Sequence, residues 1–144
     1  MRAFDPVRSI WNCSRFVATP ELVNTNLQQL VAAAADLCRK PLRHAVLPLG
    51  AAQHLDDCCL RLEARQPDGI RCPEEDLELE IYRSGDALNL NLAWSEDPER
   101  PLLWHGNHPV WMDPASGERC ERPPDGAPLE ALARRLRALL LPLD

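Results

Sequence analysis

Residues 77–95, Leu-Glu-Leu-Glu-Ile-Tyr-Arg-Ser-Gly-Asp-Ala-Leu-Asn-Leu-Asn-Leu-Ala-Trp-Ser, constrain the fold more than any other stretch. Two runs of apolar/polar alternation flank Gly85-Asp86, and a period of two is the signature of a half-buried strand. A two-residue turn with glycine first meets the type II′ preference of tight hairpins. In that register Ile81 stands opposite Leu90, Leu79 opposite Leu92 and Leu77 opposite Trp94, all on one face. Glu78, Glu80, Tyr82, Asn89 and Asn91 share the other. A slip of one residue would turn the apolar set into water, so pattern and turn specify one pairing. The stretch therefore predicts an antiparallel sheet with a covered apolar side and a wet polar side. It specifies no reaction.

Helices bracket this sheet. Thr19-Pro20-Glu21 reads as a helix start: a capping hydroxyl, proline at the first helical position and an acid near the positive dipole end. Leu22, Val23, Leu27, Leu30, Val31, Ala34, Leu37 and Cys38 follow at helical spacing, and Pro41 ends the run. Near the other end, residues 128–141 place Leu129, Leu132, Ala133, Leu136, Leu139 and Leu140 on one face. Between them, Cys58 to Arg65 alternates, and residues 102–112 form a second hairpin around Gly106-Asn107. A short strand is expected near Arg119. Residues 41–57, interrupted by Pro48, read as a bulged edge strand or a packed loop, and residues 1–18 as an edge strand or strap.

Helix, run of strands, helix is an α+β order. Residues 1–144 are expected to form a single α+β domain, an antiparallel meander-like sheet of five to six strands with both helices on one face. At 144 residues the chain is long enough to bury roughly 70% of its unfolded surface.

The formal net charge of −6, with Lys40 the sole lysine, argues against nucleic acid, whose binding draws on clustered Lys and Arg. No apolar run approaches the ~20 residues of a membrane span, and the N-terminal residues lack a signal-peptide apolar core. A cytoplasmic protein is the expectation. The six cysteines (13, 38, 58, 59, 72, 120) contain no Cys-x-x-Cys pair and are read as reduced, mostly small apolar fillers.

Four constellations bear on chemistry. If Gly106-Asn107 is the turn, His105 and His108 become cross-strand neighbours able to share a divalent metal with Cys120 or Asp113. The plainer reading is a turn whose histidines bond to backbone or water. His54, Asp56, Asp57, Cys58 and Cys59 could supply a thiol with its base. Strand alternation instead sends one cysteine to the core. Glu78 and Glu80, two apart on one face, suit acid–base work or a cation, but more commonly form a solvated row paired with Arg61 and Arg65. Arg134, Arg135 and Arg137 line the outside of the last helix, with Glu130 one turn before Arg134.

These residues favour a non-enzymatic protein-binding module: a small acidic cytosolic adaptor, chaperone or assembly factor. Its partner is another protein, with neither cofactor, nucleic acid nor membrane involved. The expected contact residues are Glu78, Glu80, Tyr82, Asn89 and Asn91 on the polar sheet face, with Trp104 and Trp111 as aromatic anchors. The alternative is a small ligand- or metal-binding protein or enzyme using His105, His108 and a nearby cysteine. A third reading is a homo-oligomer built through an edge strand or the last helix.

Overall fold

The computed structural model describes the backbone of residues 25–54 and 57–140 and the side chains of residues 26–50 and 57–140. The helix start at Thr19-Pro20-Glu21 and the strap expected over residues 1–18 lie outside the described residues. Helix α1 (Thr25–Cys38) is followed by strands β1 (Arg43–His54), β2 (Asp57–Arg65), β3 (Leu77–Ser84), β4 (Ala87–Trp94), β5 (Leu102–His105) and β6 (Pro109–Met112), then helix α2 (Ala127–Leu140). All neighbouring strands pair antiparallel, and the sheet order is β1-β2-β3-β4-β5-β6. The fold is α+β, as the order of elements implies.

The opening hairpin folds in the predicted register: Ile81 opposite Leu90, Leu79 opposite Leu92, Leu77 opposite Trp94. Gly85 has φ +64 while Asp86 does not enter positive φ, the signature of a type II′ turn. The ambiguous stretch after Pro41 is a 12-residue strand whose register shifts between Leu49 and His54. Pro48 is tolerated there because β1 lies at the end of the sheet order.

Both helices cover one face. α1 packs on β1 and against α2, and α2 lies over β4, β5 and β6. Leu60, Leu62, Leu77, Leu79, Ile81, Leu90, Leu92 and Leu103 meet Leu129, Leu132 and Leu136 in the core, each side chain contributing about 1.5–3 kcal/mol on burial. Cys58 belongs to this core, as alternation from Asp57 requires.

Two buried polar clusters tie the connections to this frame. Asp76, fully buried, accepts the Ala64 amide at 2.7 Å and both Arg71 Nη atoms at 2.9 and 2.8 Å. Arg61 approaches it at 3.7 Å. Burial alone would raise this carboxyl, but the Arg71 and Ala64 hydrogen bonds and the two guanidinium charges hold it below the usual carboxylate range. At the end of α1, His44 meets Asp36 through Nδ1 at 2.9 Å and Arg39 through Nε2 at 3.0 Å. A guanidinium only donates, so Nε2 accepts and the proton sits on Nδ1, facing Asp36. Arg39 also reaches the Glu75 carboxylate and carbonyl, each at 3.0 Å. Burial, which the Asp36 hydrogen bond only partly offsets, lowers the pKa of His44 below the ordinary imidazole value.

Candidate functional site

Period-two alternation places Trp104, Val110 and Met112 on the sheet face away from the helices, with Tyr82, Asn89 and Asn91 beside them. Register fixes the neighbours: Trp104 is opposite Asn91 on β4 and Val110 on β6, and Leu102 is opposite Met112. Leu102, Val110 and Met112 are buried and form a second apolar cluster with Trp104 and Ala93.

Trp104 is held in place. Its indole N–H donates to the Tyr82 hydroxyl at 3.0 Å. Gly106 lets the hairpin backbone come close to the ring, since a methyl group there would lie 2.8 Å from Trp104 Cζ2 and 3.2 Å from Asn89 Oδ1. The half-buried ring borders an open groove of about 350 Å³ lined by Trp104, Asn107, His108, Val110, Met112 and Arg119. Val110 and Met112 make its floor, while Asn107, His108 and Arg119 are exposed on its rim. The groove lies at the lower end of the size range of small-molecule sites and suits an inserted apolar side chain.

The polar strip next to it differs from the expected wet face. Glu80, Tyr82, Asn89 and Asn91 are all buried, at 3–5% exposure, so they do not present an open contact surface. Over Tyr82 and Asn89 the reason is local, because Trp104 and Gly106 fold across them. Glu80 accepts the Asn91 amide at 3.0 Å. The crevice beside this pair, bordered by Leu49, Cys59, Glu78 and Leu102, has about 10 Å³ of space, room for a single water. Glu78 is half-buried, and burial raises its pKa against the lowering charge of Arg61. Arg61 does stand opposite Glu78. Arg65 instead stands opposite Arg43 and pairs with Glu63 at 3.6 Å.

Trp111 is corrected from anchor to core. It faces α2, is 4% exposed, and donates its N–H to Glu130 Oε2 at 2.7 Å. The histidine pair is corrected too. The hairpin closes at His105 opposite Pro109, so its turn is Gly106-Asn107-His108, one residue longer than expected. That extra residue leaves His105 buried on the helix side, its Nδ1 proton donated to the Gly106 carbonyl at 2.9 Å. His108 lines the outer groove instead. Burial, with the nearby Arg137 and Arg134 charges, lowers the pKa of His105. Among the described residues no three His, Cys, Asp or Glu side chains cluster as a metal site.

The cysteine reading changes as well. Cys58 is 1% exposed and its thiol is pushed up to about 12, chiefly by burial, so it forms no nucleophilic thiolate. Cys59 is disulfide-bonded rather than reduced. Cys38, Cys58, Cys72 and Cys120 are free thiols.

A second cleft, of about 370 Å³, opens between the end of α1 and the start of α2. Its charges largely satisfy one another: Arg39 pairs with Glu75 at 3.0 Å, and Arg100 pairs with Asp125 while lying 3.7 Å over the Trp94 ring. Among the described residues no helix is long and apolar enough to cross a membrane.

Residues 28–139 match the model of a domain of unknown function, DUF8659. No curated protein and no solved structure matches the chain.

Proposed function

We propose that this chain, a member of the DUF8659 family, is a protein-binding module, an adaptor, chaperone or assembly factor that seats its partner on the outer face of the β5–β6 hairpin. The observation that carries this reading is the fixed ring of Trp104 at the edge of an apolar groove. Tryptophan is enriched among residues that dominate interface energies. A ring already held by Tyr82 and crowded by Gly106 loses little rotamer freedom on binding, which lowers the cost of association. The groove floor of Val110 and Met112 adds apolar area, and the adaptable thioether suits a surface that accommodates irregular shapes. Asn107 and His108 form a polar rim around it, the common anatomy of an interface centre.

Native mass spectrometry of the protein gently purified from its own source, without chelator, tests this proposal. The expected result is a stoichiometric protein companion that is lost from His108→Asp, an exposed change that sets a charge at the groove mouth without touching the core. A bare chain carrying a small ligand or metal would overturn it. So would a companion retained equally by His108→Asp and Trp104→Ala.

A further inference from the structure

Arg119 gives the groove a chemical preference. Its backbone forms an antiparallel bridge with Met112, extended by the Asp113 amide on the Glu118 carbonyl at 2.8 Å and the Cys120 amide on the Trp111 carbonyl at 2.9 Å. The segment thus covers part of the β6 edge and puts Arg119 on the same face as Met112. Strand alternation turns Glu118 and Cys120 the other way, and Cys120 does pack on the core. Arg119 is therefore the charged member of the groove lining, beside Trp104, Asn107, His108, Val110 and Met112.

Its guanidinium is uncommitted. Arg39, Arg61, Arg71 and Arg100 are each matched by a carboxylate, whereas Arg119 enters no ion pair among the described residues. In a chain of net charge −6, a cation left over at the rim of an apolar groove selects for an acid. Resting on the protein-binding reading above, we propose that the groove takes an acidic–apolar peptide segment: a large apolar side chain against Trp104, Val110 and Met112, with an Asp, Glu or terminal carboxylate close by in sequence on Arg119. A planar guanidinium matches a carboxylate through two parallel hydrogen bonds, which adds specificity as well as attraction.

Random peptides displayed on phage, selected in parallel on the wild-type protein and on Arg119→Glu, test this. Arg119 is exposed, so the variant folds with an unchanged melting temperature, to be verified first. Wild-type protein enriches peptides that carry an acid next to, or one residue from, a large apolar residue. An enriched synthetic peptide binds Arg119→Glu more weakly by about tenfold or more, the loss of one charge-assisted contact, and Arg119→Lys recovers part of it. Enrichment of the same sequences by both proteins overturns the proposal, as does a preference for basic or wholly apolar peptides. So does self-association of the wild-type chain through this face, relieved by His108→Asp. If the native companion survives Arg119→Glu but is lost from Trp104→Ala, the acidic chemistry falls and the protein-binding reading stands.

Discussion

Gly106→Ala isolates the close packing on which the Trp104 platform depends. The added methyl carbon would lie 2.8 and 2.9 Å from Trp104 Cζ2 and Cη2 and 3.2 Å from Asn89 Oδ1. Carbon atoms at rest sit ~3.5–4.0 Å apart, so the ring must withdraw by roughly 0.7 Å or more. The 3.0 Å bond to the Tyr82 hydroxyl then stretches past useful range. That loss costs about 0.5–1.5 kcal/mol, and overpacking adds about 1–3 kcal/mol. Working the other way, Gly106 is not at positive φ, so alanine fits the backbone and restrains the unfolded chain by about 0.4–1 kcal/mol. The balance is a destabilisation of about 2 kcal/mol. With an unfolding entropy of about 2.1 cal/mol/K per residue over 144 residues, the melting temperature falls by about 6–7 °C. Thermal unfolding followed by circular dichroism reads the shift, and tryptophan emission reports the ring's movement. A variant as stable as the wild type, with unaltered emission, would refute the packing argument. Stability gained by Gly106→Ala would refute it more strongly.

Other outcomes follow from the buried polar clusters and the thiols. Asp76→Ala leaves the buried Ala64 amide without an acceptor, while Arg71, 34% exposed, turns to solvent; a stranded buried donor costs about 1–3 kcal/mol, so urea unfolding shifts its midpoint with an unchanged slope, and an unchanged midpoint would contradict the pairing. His44 and His105 are both lowered in the folded state, so the unfolded chain binds the extra protons and stability present above pH ~6.5 is lost as pH falls below it. Melting temperatures between pH ~7 and ~5 should therefore decline, and less steeply in His44→Gln; a rise on acidification, or identical slopes, would show the assignment wrong. Without reductant, thiol labelling should reach the buried Cys58 only once the protein is unfolded, and Cys59 only once the unfolded protein is also reduced. Labelling of Cys59 in the unfolded protein before reductant is added would restore the reduced thiols expected from the sequence.

The hairpin at 77–94 was legible because three independent signals coincided: alternation in both strands, matched lengths, and glycine at the first turn position. The last helix was legible from its leucine spacing alone. The β5–β6 turn was not, because Gly106-Asn107 is a strong two-residue signal and nothing local marks His108 as a third turn residue. That single added residue separates His105 from His108 across the sheet. Depth on the polar face was illegible for a different reason. Whether Asn89 or Tyr82 meets water depends on Trp104 and Gly106, residues far along the chain, and no strand encodes its own cover. The Asp76 and His44 clusters were missed because their members come from different elements, joined only once the sheet forms. Arg119 carried a faint signal in the strand expected there, and its bridge to Met112 is what places it on the groove.

Amide hydrogen exchange on the complex with its native companion, compared with the free protein, locates the partner on the sheet. Added protection concentrated in residues 102–112 and 118–120 is the predicted result, with Asn107 and His108 among the amides slowed most. Protection confined to α2 or to β1, with the β5–β6 hairpin exchanging as it does in the free protein, would contradict the proposal.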